Sequence, residues 1–233
     1  MREKVAPHIR QIISSLQDGG FETYLVGGAV RDILLGIRPK DYDISTSATP
    51  EQIRSLFGRR NVRIIGKRFR LAHYYHGREI IEISTFRKDP GLAPPGEEHE
   101  DGDSGERFVR YDNEFGTAVE DAFRRDFTVN AIFFDPVRNK VADLTGAGVK
   151  DLEQGLIRCI GEPAARFQED PVRILRCFKL AGQYGFRPTP ETEEAAVASS
   201  HLIKKCSPSR LSLELQKIIQ KTHSHKILAS FHR

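Results

Sequence analysis

Ile9, Ile12, Ile13 and Leu16 recur at the spacing of one helical face, and Gly19-Gly20 stops the pattern. The period then shortens. "FETYLVGG" predicts a strand running into a glycine turn, "AVRDILLG" a short helix ended by Gly36, and "YDIST" the next strand. Thr49-Pro50-Glu51 predicts a helix start, with Thr49 as N-cap and proline at the first helical position. "VRIIG", "FRLAHYY" and "EIIEISTF" are β-rich, and His76-Gly77 suits a hairpin turn. Residues 88–110 hold proline, glycine and acid with almost no large apolar side chain, which predicts a mobile loop. "EFGTAVEDAFRRDFTVNAIFFD" predicts a helix leading to a strand. "VADLTGAGVKDLEQGLIRCIG" predicts strand, glycine turn, short helix and strand. From Pro163 onward helical spacing dominates, in "EDPVRILRCFKLAGQYGF", "PETEEAAVASS" and "SPSRLSLELQKIIQ". The pattern is mixed α+β over residues 1–155 and all-helical over 156–233.

The totals alter this picture little. A chain of 233 residues builds one or two compact domains with a core. Its net charge of +4 is a weak pointer to an anionic partner. Cys159, Cys177 and Cys206 lack both metal-ligand spacing and a disulfide framework, so a reducing, cytoplasmic setting is expected. The N-terminus is charged and amphipathic without an apolar leader core, and no apolar run approaches the roughly 20 residues of a membrane span. Neither a signal peptide nor membrane insertion is expected, and there is no internal repeat. Nothing fixes an oligomeric state.

Four stretches carry candidate chemistry. In "GGAVRD" (27–32), glycines between strand and helix let backbone N–H groups approach an anion, with Arg31 one turn in; an ordinary strand-to-helix turn is the plain alternative. In "KDYDI", Asp41 and Asp43 are two apart, so on one strand they share a face roughly 6–7 Å apart. Charges so close either face water or hold a cation. A glycine phosphate turn followed by paired carboxylates is what Mg²⁺–triphosphate chemistry requires. In "FRRDFTVNA", Arg124 and Arg125 are adjacent, so only one is expected to face a shared site, and Asp126 could orient an arginine or approach a metal. In "EDPVRILR", Asp170 before Pro171 is an N-cap, while Glu169, Arg173, Arg176 and Lys179 fall on the polar arc opposite Ile174, Phe178 and Ala181. Arg173 and Arg176 could fork a phosphate or base edge; a solvated face explains the same spacing.

With "YLVGGAVRD", "KDYDI", "RRDFTVNA", "EDPVRILR" and "SRLSLELQKI" in this order, the chain resembles the class II nucleotidyltransferases. That family holds bacterial poly(A) polymerases and CCA-adding tRNA nucleotidyltransferases. The resemblance runs from about Gly20 to Ile219. It implies an α+β head with a mixed five-stranded sheet and helices, then an all-helical neck, with a C-terminal body that is short or missing. By the same resemblance, Gly27, Gly28 and Arg31 hold the triphosphate of ATP, and Asp41 and Asp43 bind two Mg²⁺ ions, with Glu82 as a further metal carboxylate. Asp126 supports the metals or orients an arginine. Arg124 and Arg125 contact the nucleotide. Asp170 and Arg173 read the base without a template, and Arg176 assists. One metal would activate the RNA 3′-hydroxyl and the other would neutralise the leaving pyrophosphate.

"VRIIGKRFRLAHYYHGREIIEISTFRK" and "YDNEFGTAVEDAFRRD" resemble the poly(A) polymerase branch most, which implies AMP addition to an RNA 3′ end, mRNA or tRNA. CCA addition with CTP and ATP is the alternative, since Asp170 and Arg173 belong to both branches. A chain stopping at Arg233 is expected to be a fragment or a short form. Two further readings compete: a non-catalytic RNA-binding protein, disfavoured by intact Asp41 and Asp43, and a small-substrate nucleotidyltransferase, disfavoured by the helices after Pro163.

Overall fold

The computed structural model describes residues 1–66, 70–88 and 115–219. The expected loop 88–110 lies, apart from Lys88, outside them. One compact unit comprises Met1–Arg125 and Asn130–Thr145. Its elements are α1 (Pro7–Asp18), β1 (Thr23–Val26), α2 (Gly28–Leu34), β2 (Asp43–Thr46), α3 (Pro50–Phe57), β3 (Val62–Ile65), β4 (Leu71–His76), β5 (Glu79–Thr85), α4 (Ala118–Phe123), β6 (Ile132–Asp135) and β7 (Lys140–Asp143).

The strands form one sheet in the order β3-β4-β5-β2-β1-β6-β7. The sheet has seven strands, not the five the family resemblance implied. The alternation along the chain marked seven β segments here, and each finds a ladder partner. Only β2 and β5 pair in parallel; every other neighbour is antiparallel. One face buries Leu25, Ile44, Ile81 and Ile83 completely. On it, Phe57 at the end of α3 meets Tyr74 edge-on with ring centroids 5.0 Å apart, and His8 of α1 stacks on His76. The helical face read from the sequence, Ile9, Ile12, Ile13 and Leu16, is buried. Each such side chain contributes roughly 1.5–3 kcal/mol of burial. On the opposite face, Val26, Phe86 and Phe133 pack with Ala118 and Ala122 of α4. Capping boxes start two helices: Thr49 with Gln52 on α3, as the Thr49-Pro50 signal predicted, and Thr117 with Glu120 on α4.

Asp41 departs from expectation. β2 begins at Asp43, and Asp41 sits in the bend before it. The register explains why: Asp43 pairs with Val26, so a ladder continued to Asp41 would need Gly28, which already starts α2.

The second unit comprises Asp126–Val129 and the chain from Gly146. It holds α5 (Gly148–Gln154), β8 (Leu156–Ile157), α6 (Pro163–Glu169), α7 (Val172–Tyr184), β9 (Arg187–Pro188), α8 (Pro190–Ala198) and α9 (Pro208–Ile219). Among its described residues it is helical apart from the two-residue parallel ladder of β8 with β9 and an isolated bridge between Phe127 and Cys159. Phe167, Ile174, Cys177, Leu180 and Ile218 are buried in it. All three cysteines are free, and burial pushes the Cys159 thiol up to about 11. Among the described residues, no helix is long and apolar enough to cross a membrane.

Candidate active site

In the first unit the site starts where β1 gives way to α2. Gly27 has φ 69°, a backbone that L side chains rarely adopt. A Cβ there would lie 3.5 Å from Arg125 Nη1 and 3.7 Å from Asp43 Oδ2, so the bare backbone faces both groups. At Gly28 a Cβ would meet Arg31 Nη2 at 3.3 Å. Arg31 is only 8% exposed. Its Nη2 donates to Asp32 Oδ1 at 2.8 Å and its Nη1 to Asn130 Oδ1 at 2.6 Å, which fixes the guanidinium over the turn.

Asp43 and Glu82 are register partners on β2 and β5, so they leave the sheet on one face, and both are exposed. Glu82 Oε1 lies 3.8 Å from His73 Nε2. Two residues along, Ser45 and Ser84 share a hydrogen bond of 3.0 Å. Arg125 Nη2 donates to Ser45 Oγ at 3.3 Å and to Asp121 Oδ2 at 2.8 Å, and its guanidinium lies over the Phe133 ring. Arg124 is the C-cap of α4, and its Nε donates to Asp121 Oδ1 at 2.8 Å, so the two guanidiniums grip opposite oxygens of one carboxylate. Burial alone would push that carboxyl up. The Arg125 and Arg124 charges outweigh it and hold Asp121 below the ordinary aspartate value.

The second unit holds Asp126, Asp170, Arg173 and Arg176. Asp126 Oδ1 accepts the Phe127 N–H at 2.8 Å, and its Oδ2 lies 3.5 Å from Arg176 Nη1. Of its two expected roles, orienting an arginine thus has a named partner. Arg176 Nε also reaches Glu214 Oε1 of α9 at 3.3 Å, and Lys179 Nζ donates to that same oxygen at 2.8 Å. Burial works against the Arg176 charge, but Asp126 and Glu214 raise its pKa above the ordinary arginine value.

Asp170 Oδ1 accepts from Val172 N–H at 3.2 Å, but Pro171, not the expected Asp170, is the N-cap of α7, and Asp170 itself ends α6. Its other oxygen accepts from Arg210 Nη2 at 2.7 Å. Arg173 instead donates to Glu169 Oε2 and to the Arg166 carbonyl, both at 3.0 Å. Arg210 and Glu214 stand one turn apart on α9, so a single helix supports both Asp170 and Arg176.

Of the expected residues, Gly27, Gly28, Arg31, Asp41, Asp43, Glu82, Arg124 and Arg125 thus belong to the first unit, and Asp126, Asp170, Arg173 and Arg176 to the second. Asn130, Asp121, Ser45, Arg210 and Glu214 were missed. An acid three and four residues before the arginine pair, and charges four apart in "SRLSLELQK", were the available signals for Asp121, Arg210 and Glu214. None existed for Asn130.

The residues fit Mg²⁺. Asp43 is an exposed hard oxygen donor beside a backbone turn that no Cβ occupies, and Asp41 is exposed in the bend before β2. Among the described residues no three His, Cys, Asp or Glu side chains form a closed cage. Mg²⁺ ordinarily takes one or two carboxylates and completes its shell with substrate phosphates and water.

A mixed sheet with a glycine turn and acidic strand start on one face is a nucleotidyltransferase-type fold. Residues 23–158 match the family model described as "Poly A polymerase head domain", and residues 185–232 that described as "Probable RNA and SrmB- binding site of polymerase A". The chain belongs to the poly A polymerase head-domain family. It is 42% identical over 235 residues to poly(A) polymerase I of Escherichia coli O6:H1, covering 99% of this chain and 50% of that protein. It is 35% identical over 214 residues to the CCA-adding enzyme of Bacillus pumilus, covering 91% of this chain and 50% of that one. The solved Bacillus stearothermophilus CCA-adding enzyme in complex with CTP superposes with a TM-score of 0.79 at 30% identity, over 97% of this chain and 52% of that structure. The chain therefore spans about half the length of the curated relatives it matches.

Proposed function

We propose that the chain is the catalytic portion of a template-independent RNA nucleotidyltransferase that adds AMP from ATP to RNA 3′ ends. Residues 1–155 would serve as its head and 156–233 as its neck. The observation that carries this reading is the placement of Asp43, the open Gly27 backbone and the Arg125 guanidinium within a few ångströms of one another. An acid, bare backbone and a fixed cation together suit a metal-bound triphosphate.

Asp41 and Asp43 would hold two Mg²⁺ ions, with Glu82 beside them. Bound there, the ions would supply Lewis-acid activation of the attacking 3′-hydroxyl and charge neutralisation at the departing pyrophosphate. The backbone at Gly27 and Gly28 and the pinned Arg31 would bind the triphosphate. Arg125 and Arg124, already oriented by Asp121, would meet the nucleotide without reorganisation. Asp126 would hold Arg176 in place, and Asp170 and Arg173 would present hydrogen-bonding groups to the base edge.

CCA addition is the second reading, favoured by the likeness to the CTP-bound CCA-adding enzyme. Incubation with labelled ATP or CTP, Mg²⁺ and either a generic oligonucleotide or a tRNA lacking its 3′ end separates the two. AMP tails on the generic RNA are expected. Ordered CMP and AMP incorporation confined to the tRNA would establish the second reading, and no incorporation on either would leave a non-catalytic RNA-binding protein.

A further inference from the structure

The sheet face that carries Asp43 continues past β5. Asp43, Glu82, His73 and Arg63 are successive register partners across β2, β5, β4 and β3. Three inter-strand steps place Arg63 about 14 Å from Asp43 along this row. α4 covers the face over β1 and β6. Across β3, β4 and β5 the described residues leave it open: Ile80 is 51% exposed, Ile65 is 43% exposed, and the Arg63 guanidinium lies 5.5 Å from the Tyr75 ring centroid. Tyr75 and Ile80 are direct cross-strand partners.

The charge is as uneven as the burial. Between 59 and 88 the described residues hold seven basic side chains against Glu79 and Glu82 alone. Of these, Arg63 stands in the row itself, whereas Arg70 pairs with Glu51 of α3. An exposed aromatic and apolar platform with the Arg63 cation over its ring, continuous with the acidic strand start, matches the stacking and phosphate chemistry of a single-stranded nucleic acid.

We propose that the open face of β3–β4–β5 is the track for the single-stranded RNA behind its 3′ end, with a base on Tyr75 and Ile80 and a phosphate on Arg63. This rests on the nucleotidyltransferase reading for its direction, from Asp43 outward. Arg63→Glu and Tyr75→Ala test it, with Tyr75→Phe as the stacking-competent control. For AMP transfer onto a long oligoadenylate, the first two variants should raise the RNA KM by about tenfold. Transfer onto a dinucleotide, too short to reach the track, should be unchanged. Arg63→Glu should also flatten the salt dependence of binding by about one phosphate contact.

Anisotropy of a labelled long oligoadenylate reads the same face without requiring catalysis. If the wild-type protein transfers nothing, the enzymatic reading falls. Weaker binding by the two variants would then still uphold the track. Unchanged oligoadenylate affinity in folded Arg63→Glu and Tyr75→Ala proteins would overturn it, as would a changed oligomeric state at unchanged RNA affinity, which would make the face a protein interface.

Discussion

The two units arrange their charges in opposite ways. In the first, Asp41, Asp43 and Glu82 stand exposed, while the nearby cations are anchored: Arg124 and Arg125 to Asp121, Arg31 to Asp32 and Asn130. In the second, acid and base alternate in a lattice. Asp126, Arg176, Glu214 and Lys179 form one run, Asp170 holds Arg210, and Glu169 holds both Arg166 and Arg173. Exposed carboxylates are hard oxygen donors that an added cation can reach. A matched lattice gains nothing from one; it keeps side chains in a fixed geometry for a ligand to meet. The contrast accords with the proposed division into phosphate chemistry in the first unit and base recognition in the second.

The strongest way to break this division is at Asp43. Asp43→Asn is expected to lower nucleotide transfer by about a thousandfold or more, roughly 4 kcal/mol in the transition state. Thermal stability should change little, since the side chain is exposed and asparagine keeps its shape. Transfer close to wild type would show that the exposed acids hold no essential metal.

Asp121 sharpens the comparison from the stability side. It is fully buried beneath two arginines, so Asp121→Asn should cost about 2–4 kcal/mol, read from the denaturation midpoint. The pH dependence follows from its depressed carboxyl. A folded pKa below the unfolded one gives stability that is complete above the ordinary aspartate value, about 3.9. That stability is lost as pH falls through the lower folded value. Acid should therefore lower the wild-type melting temperature more than that of Asp121→Asn over this window. Parallel acid profiles would contradict the assignment.

The smallest effects are expected in the lattice. Asp170→Asn keeps an acceptor for the Val172 N–H but loses the charge facing Arg210, and should erode the ATP-to-CTP ratio by about tenfold, roughly 1.4 kcal/mol. Glu169→Gln, which loosens Arg173, should shift that ratio by a few-fold with little change in melting. If Glu169→Gln outweighs Asp170→Asn, base choice depends on Arg173 and its anchor instead.

The sequence resolved what periodicity and local caps encode. The seven β segments, the buried stripe of α1 and the Thr49 cap were all legible, because each depends on neighbours within a few residues. Charge partners were not. Arg31 and Asn130 are 99 residues apart, and Asp170 and Arg210 are 40 apart; such pairs depend on how elements dock, which has no period. Arg173 is a local exception, since it pairs with Glu169 four residues before it. Asp41 was misplaced on a strand because its two-residue spacing from Asp43 is a strand signal, while the competing helix start at Gly28 lies on a different segment.

The single parallel pairing in the sheet has a kinetic consequence. β3, β4 and β5 are joined by short connections and can close as a meander early. β1 and β2 are likewise neighbours in sequence. Joining the two sets through β2 and β5 spans the 39 positions from Asp43 to Glu82, a contact whose loop-closure entropy must be met before any ladder bond forms. Pulse-labelled hydrogen exchange during refolding should protect the amides shared by β4 and β5 before those shared by β2 and β5. A newly made chain would then carry the basic hairpins and the acidic strand start as separate pieces, and the face bearing Asp43 beside Glu82 would come into being only at that last docking.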